Sequence, residues 1–371
     1  MIKTLNVRRE ELIVALEIVA KATSTNSIMP MLSSVLVEVN GENCNLTCTD
    51  LATTISISIP VASNDNFSAV IPIKILQKLL KLVAEEDIRL LYDDIKQNVK
   101  LESEKSKNTI SCLPVAEFPS RDEIEYSTQF WLKPTELSTV GELVTFAAST
   151  EPYQQTLQGV LMEHNSEEEG LIFIAADGVR SSVYQVDKAE RFGDTKFRAI
   201  IPTEPLMDFA KLLTGDKINI KVSKSHVEFS SGKTIATLSL LNGNFPKVRE
   251  AIMNMIKREN NQIIPMNTAE FLQACKMSNV FASESNNRLR IEFGLMFSNV
   301  SGYADQTGDS TNMFAMNASK EMAFNVNAKM FIEALGKFGA EAFVVNVASD
   351  TEAIIFSAED FQFYHIIMPT T

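Results

Sequence analysis

The sequence predicts an α+β fold of antiparallel sheets and paired helices, repeated three times along a chain of 371 residues. Three observations carry this expectation. Thr49-Asp50, Ala176-Asp177 and Ala304-Asp305 mark equivalent acidic turns, their Asp residues 127 and 128 positions apart. Glu11-Leu12, Glu136-Leu137 and Glu270-Phe271 each open a helix-like stretch, while Leu113-Pro114, Phe245-Pro246 and Met368-Pro369 each close a strand. Strand-like segments dominate and few read as parallel βαβ crossovers, which favours antiparallel pairing.

The elements follow in order within each copy. Residues 7–22 suit a helix, with Leu12, Ala15, Leu16 and Val19 at helical spacing. An apolar strand then carries Leu32, Val35 and Leu36, matched by Leu157, Val160 and Leu161 and, more loosely, by residues 289–297. Cys44, Leu46 and Cys48 share parity, so on a strand they face one side, the core. Residues 53–59 alternate strictly and predict a half-buried strand. Ile71-Pro72 and Ile201-Pro202 lead into a second helix, with Val326-Asn327 at the matching point of the third copy. In the helix over 73–83, Leu76, Leu79, Leu80 and Val83 form a core-facing stripe. Lys74, Lys78 and Lys81 form a cationic stripe on another face. That stripe is either an ordinary solvated helix surface or a surface aimed at phosphates. Residues 218–222 and 226–240 read as a hairpin pair around a turn at Ser230 to Lys233, and 342–347 with 352–367 repeat the pattern. The expected modules are 1–125, 126–250 and 251–371. No Pro/Gly/Ser-rich linker separates them, so they are expected to abut.

Composition narrows the function. Lys plus Arg number 34 against 47 Asp plus Glu, a net charge of −13, and 45% of residues are hydrophobic. A disordered chain, a collagen-like chain and a small disulfide scaffold are excluded. The acidity also excludes a protein that coats nucleic acid with its whole surface, but not one that concentrates cations on one face. Charges at Lys3, Arg8, Arg9, Glu10 and Glu11 break up any signal-peptide core, and no transmembrane stretch appears, so a cytoplasmic protein is expected. Cys44 and Cys48 have no second pair at zinc spacing.

Catalysis has little support. His164, His226 and His365 lie near no nucleophile elbow or HExxH pair. Ser231-Gly232-Lys233-Thr234 resembles the end of a phosphate loop, but Val227 stands where that motif needs glycine. Asp50, Asp177 and Asp305 sit at equivalent places in three modules. They read better as turns whose carboxylates bond nearby backbone N–H groups than as a metal cluster. No cofactor is expected.

The threefold repeat resembles the bacterial sliding clamp, the DNA polymerase III beta subunit, over the whole chain. The resemblance rests on Thr49-Asp50-Leu51, the segment Leu113 to Pro119, Ala176-Asp177-Gly178-Val179-Arg180, Gly243 to Pro246 and the terminal Ile366 to Pro369. It implies a non-catalytic processivity factor. Two chains would join head to tail, with two helices per module lining a hole around double-stranded DNA and the sheets outside. The implied inner-face cations are Lys74, Lys78, Lys81, Lys211, Lys276, Lys329 and Lys337. The implied peptide pocket, used by the polymerase catalytic subunit, the clamp loader and other clamp-motif proteins, comprises Leu157, Ala176, Gly178, Val179, Arg180 and Ser181 with Pro246, Ala251, Ile366, Met368 and Pro369. The implied homodimer seam joins Asn108 and Ile110 to Val280 and Phe281 of the second copy. Asn26, Asn108, the run Tyr153-Gln154-Gln155 and Val179 depart from residues common in the family. The alternative is a clamp-like peptide-binding scaffold or specialised paralogue that is not the main replicative clamp.

Overall fold

The computed structural model describes residues 2–24, 28–103, 106–120, 123–164, 170–186, 196–213, 215–256, 258, 262–316, 318–338, 342–357 and 362–370. The chain packs as two compact units, Met1–Thr135 with Glu204–Leu240, and Glu136–Thr203 with Leu241–Thr371. Its α-helices among the described residues are α1 (Arg9–Val19), α2 (Ile73–Leu82), α3 (Pro134–Thr139), α4 (Thr203–Leu212), α5 (Val248–Ile256), α6 (Thr268–Ala282) and α7 (Ala328–Lys337).

Each unit holds one four-stranded and one eight-stranded sheet. In the first unit, the small sheet runs Ile2–Arg8, Asp87–Asp93, Asn98–Glu102, Lys107–Ser111 in hydrogen-bonded order. The large sheet runs Phe67–Pro72, Ser34–Asn40, Asn43–Thr49, Thr53–Pro60, Thr234–Ser239, His226–Ser231, Ile218–Val222, Thr128–Leu132. Its central pairing joins strands far apart in sequence, with Thr54 opposite Thr237.

In the second unit, the small sheet runs Gly308–Phe314, Ser298–Ala304, Arg288–Phe293, Met322–Asn327. The large sheet runs Phe197–Pro202, Gly159–His164, Leu171–Ala176, Arg180–Val186, Phe363–Ile367, Ile354–Ser357, Ala342–Val347, Gln262–Asn267. Here Ser181 lies opposite Ile366. The pairings at both sheet centres, and those that flank them, are antiparallel, in agreement with the predicted class.

Local sequence explains most elements. α1 buries Leu12, Ala15, Leu16 and Val19, the four residues its spacing singled out. Cys44, Leu46 and Cys48 are fully buried on their strand. α2 buries Ile73, Leu76 and Leu80, while Lys74, Lys78 and Lys81 are exposed. One expectation fails there: Leu79 is only half-buried, because the true apolar stripe is centred one residue earlier and includes Ile73. α6 and α7 are capped by Asn267 and Asn327, whose side chains accept from Glu270 N at 3.0 Å and Met330 N at 3.1 Å. Such caps satisfy N–H groups that have no partner within the helix.

The first helix of the middle copy is broken. α3 passes into a π turn at Val140–Val144 and a 3₁₀ turn at Thr145–Ala147. Thr145 donates its Oγ1 hydrogen to Gly141 O at 2.6 Å, a side-chain bond that competes with the regular helical ladder. The region 226–240 resolves into two strands about Gly232, whose φ of +57° suits glycine. The core of the second unit is aromatic: Phe271, Phe331, Phe343 and Phe356 are all buried, and Phe271 meets the Phe331 ring edge-on at 5.7 Å between centroids. Each such burial contributes about 2–3 kcal/mol relative to exposure.

Candidate functional site

The strongest candidate lies in the second unit, where the strand Leu171–Ala176 turns into Arg180–Val186. Asp177 makes that turn. Its Oδ1 accepts from Val179 N and Arg180 N, both at 2.9 Å, and Gly178 takes φ +94°. The same device recurs at Asp50, whose Oδ1 accepts from Ala52 N at 3.0 Å and Thr53 N at 2.6 Å. The backbone bond is also repeated: Asp50 N donates to Thr53 O and Asp177 N to Arg180 O, each at 3.1 Å. Asp305 differs, since its carboxylate receives the Tyr303 hydroxyl and pushes that phenol's pKa up. Among the described residues no group of three or more His, Cys, Asp or Glu could hold a metal ion.

The turn brings some of the predicted pocket residues together. Met368 N donates to Val179 O at 2.9 Å, which seats the chain end beside the turn. Ala176 and Ile366 are buried in one cluster with Leu161, Ile174 and Phe245, and Leu157 packs against it half-buried. Val179 and Met368 are each 40% exposed. Pro246 and Ala251 are exposed and flank the buried Phe245 and Ile252. Gly178 is exposed, Pro369 half-buried and Ser181 buried. Val179 and Met368 thus stand exposed beside a buried apolar cluster.

Arg180 is held within the protein. Its Nε donates to Asp177 Oδ2 at 3.0 Å, its Nη1 to Glu333 Oε2 of α7 at 2.6 Å, and its Nη2 to Phe146 O at 2.7 Å. The guanidinium also lies 5.3 Å from the Phe146 ring centroid, a cation–π distance. Behind it, His365 is completely buried, bonded through Nδ1 to Ser182 Oγ at 2.7 Å and stacked on Phe146. Burial first, and then the Arg180 charge, lower the His365 pKa to about 3, so the ring is neutral.

The sequence alone did not single out Phe146, Glu333 or α5. α5 covers part of the sheet with Ile252 and, half-buried, Val248 and Met255. Those residues stand at i, i+4 and i+7 just after Pro246, a helical signal that was present in the sequence.

The cationic candidates are all exposed: Lys74, Lys78 and Lys81 on α2, Lys211 on α4, Lys276 on α6, Lys329 and Lys337 on α7. Two have partners. Lys81 Nζ lies 3.3 Å from Glu17 Oε1 of α1, and Lys337 Nζ lies 6.0 Å from the Phe146 ring centroid. Lys21, a cation not anticipated, pairs with Asp208 of α4 at 3.1 Å. Asn26 lies outside the described residues. Tyr153 is 78% exposed, and Gln154 accepts a bond from Ser149 Oγ at 2.6 Å.

For the seam, Lys107–Ser111 and Gly308–Phe314 each form one edge of a small sheet. Val280 is 63% exposed at the end of α6, and Phe281 is half-buried beside Gly308. Ile110 is 3% exposed and packs inward on its own sheet. Asn108 is half-buried, with its amide 3.4 Å from Ser106 Oγ.

Comparison with known families decides the assignment. Residues 3–122 match the model of the DNA polymerase III beta subunit N-terminal domain, and residues 131–247 match that of its central domain. The chain belongs to the DNA polymerase III beta subunit family. The resemblance drawn from its short motifs is thereby borne out. The beta sliding clamp of Pseudomonas aeruginosa is 23% identical over 374 residues, covering 98% of each chain. The crystal structure of the Streptococcus pyogenes beta subunit matches with a TM-score of 0.92 at 20% identity over 99% of each chain. The P. aeruginosa clamp bound to griselimycin matches with a TM-score of 0.91 at 19% identity, covering 100% of this chain and 99% of that one. Among the described residues no helix is long and apolar enough to cross a membrane.

Proposed function

We propose that the protein is a non-catalytic processivity factor that encircles duplex DNA and tethers the replicative polymerase and other DNA-acting enzymes. Membership of the beta subunit family carries this reading. Three modules per chain, at 1–125, 126–250 and 251–371, would give a head-to-tail homodimer six modules and a closed ring. The physical logic suits the charge. A ring is retained by topology, so its lining needs only a modest field, and non-specific phosphate contacts leave it free to slide. Lys74, Lys78, Lys81, Lys211, Lys276, Lys329 and Lys337 supply that field, while the net charge of −13 keeps DNA off the rest of the surface.

The strip formed by Leu157, Ala176, Gly178, Val179, Ser181, Pro246, Ala251, Ile366, Met368 and Pro369 would receive the apolar motifs of polymerase, clamp loader and repair enzymes. The P. aeruginosa relative holds griselimycin, which supports a ligand site in this fold. Arg180 frames the strip rather than reaching into it. Lys107–Ser111 of one copy would add its open edge to Gly308–Phe314 of the other, with Val280 and Phe281 as apolar contacts. A role in replication would put the protein in the cytoplasm.

Loading on nicked circular DNA tests the function. The ring reading expects loader-dependent retention on the circle that is lost when the DNA is linearised, and a solution mass of two chains by light scattering. A persistent monomer that never stays on circles would remove it.

A further inference from the structure

Three elements of the second unit converge on Arg180. Phe146 belongs to the 3₁₀ turn that ends the broken helix of the middle copy. The break leaves its carbonyl without a helical partner, and Arg180 Nη2 fills that place at 2.7 Å. The Phe146 ring in turn serves two cations. The Arg180 guanidinium lies 5.3 Å from its centroid and Lys337 Nζ lies 6.0 Å from it. Both distances allow a cation–π attraction, so the two cations compete for one ring.

α7 supplies the second link. Lys329, Glu333 and Lys337 follow one another at four-residue steps on one exposed face, while Phe331, Ala334 and Leu335 are buried on the other. Glu333 Oε2 accepts from Arg180 Nη1 at 2.6 Å. Its carboxylate therefore stands in the field of three cations, and the two lysines draw it away from Arg180. What Arg180 holds is the turn itself. Its Nε donates to Asp177 Oδ2 at 3.0 Å, and Val179 in that turn accepts from Met368 N at 2.9 Å.

We propose that Glu333 is a positioning residue for the apolar strip, and that phosphates gathered by Lys329 and Lys337 tighten it, so that bound DNA raises the strip's affinity for its ligand. The proposal rests on the DNA-lining and strip-binding roles given above. Two effects act with one sign. A phosphate that engages Lys329 and Lys337 removes their pull on Glu333, whose charge then falls to Arg180 alone. It also takes Lys337 from the Phe146 ring and leaves that ring to Arg180. A firmer Arg180 holds Asp177, and the turn that presents Val179 has less freedom to lose when a ligand docks. Linkage makes the effect mutual: a ligand on the strip strengthens phosphate binding by the same factor. A partner would then prefer the protein on DNA to the protein free in solution.

Fluorescence anisotropy on the full chain tests this, with labelled griselimycin, the ligand held by the P. aeruginosa relative, as probe. A short linear duplex at low ionic strength supplies the phosphates. Saturating duplex should tighten wild-type binding about fivefold. Lys329→Gln combined with Lys337→Gln should tighten it about threefold without DNA, and duplex should then add nothing. Glu333→Gln should weaken it about twofold without DNA and remove the response to duplex. Glu321→Gln, an exposed carboxylate outside the network, should behave as wild type. A purely structural role for these side chains would not make the lysine variant bind more tightly. A lysine variant of unchanged or weaker affinity, or a Glu333→Gln protein that still responds to duplex, would overturn the proposal. A tighter lysine variant with no duplex effect in the wild type would instead remove the DNA-lining role and keep the link from α7 to the strip. Griselimycin binding that Val179→Asp leaves intact would remove the strip, and the proposal with it.

Discussion

Arg180 and Glu333 form a 2.6 Å ion pair that ties the Asp177 turn to α7. The arginine side chain is 11% exposed and the glutamate 41%. Losing the buried partner leaves Asp177 and the Phe146 carbonyl without their donor, so Arg180→Ala should cost roughly 2–3 kcal/mol of stability. Glu333→Gln keeps an acceptor at a wetter position and should cost less than about 1 kcal/mol. Urea midpoints at neutral pH separate the two; equal losses would mean that the pair, not the arginine's other bonds, carries the stability.

His365 should make the protein acid-sensitive above the carboxylate range. Its pKa is lowered to about 3 in the fold, against 6.5 for a free ring. The unfolded chain therefore takes up a proton that the folded one refuses. Its contribution is complete above pH 6.5 and is lost as pH falls toward 3. Between pH 7.5 and pH 5 this single ring should account for roughly 2 kcal/mol. Replacing it by Gln should flatten that part of the stability profile, measured by urea titration at each pH.

The thiols should be inert in the folded protein. Burial pushes Cys44 up to about 12 and Cys112 to about 11, and raises Cys48 and Cys275 further. Cys112, the one that is only half-buried, should react first with a thiol reagent at pH 8, and the other three only on unfolding. Because the unfolded thiols ionise near 8.5–9 and the folded ones do not, stability should decline as pH rises above that range.

Changing Lys74, Lys78 and Lys81 together to Glu should shorten retention on circular DNA and leave binding of an apolar peptide unchanged. Taken singly, Lys81→Ala should matter least, because that ammonium already faces Glu17 at 3.3 Å. Retention half-lives over a salt series would check both points; each phosphate contact removed should lower the salt slope by about one.

Local periodicity made much of this protein readable. The α1 stripe, the parity of Cys44, Leu46 and Cys48, and the exposed lysines of α2 all derive from 3.6- and 2-residue repeats. The Asp50 and Asp177 turns came from side-chain chemistry within three residues. What escaped was long-range. That Arg180 would meet Glu333, 153 positions away, depends on packing that no window of sequence encodes. The inward packing of Ile110 escaped for the same reason, since which face of an edge strand is covered depends on its neighbours. α5 is a different case. Val248, Ile252 and Met255 carry its spacing, but they sit directly behind Phe245-Pro246, a strand-and-proline ending that reads equally well as the close of a module.

The pairing of Thr54 with Thr237, and of Ser181 with Ile366, has a consequence for how the molecule comes apart. The stretch 126–250 contributes strands to both large sheets, so it owns no sheet of its own. Cooperative opening should then follow sheets rather than sequence repeats, and amide exchange should protect 218–240 together with the N-terminal third and 159–202 together with the C-terminal third. The motifs recur in thirds, yet the chain should melt in halves, each half stitched across a junction that the repeats would mark as a boundary.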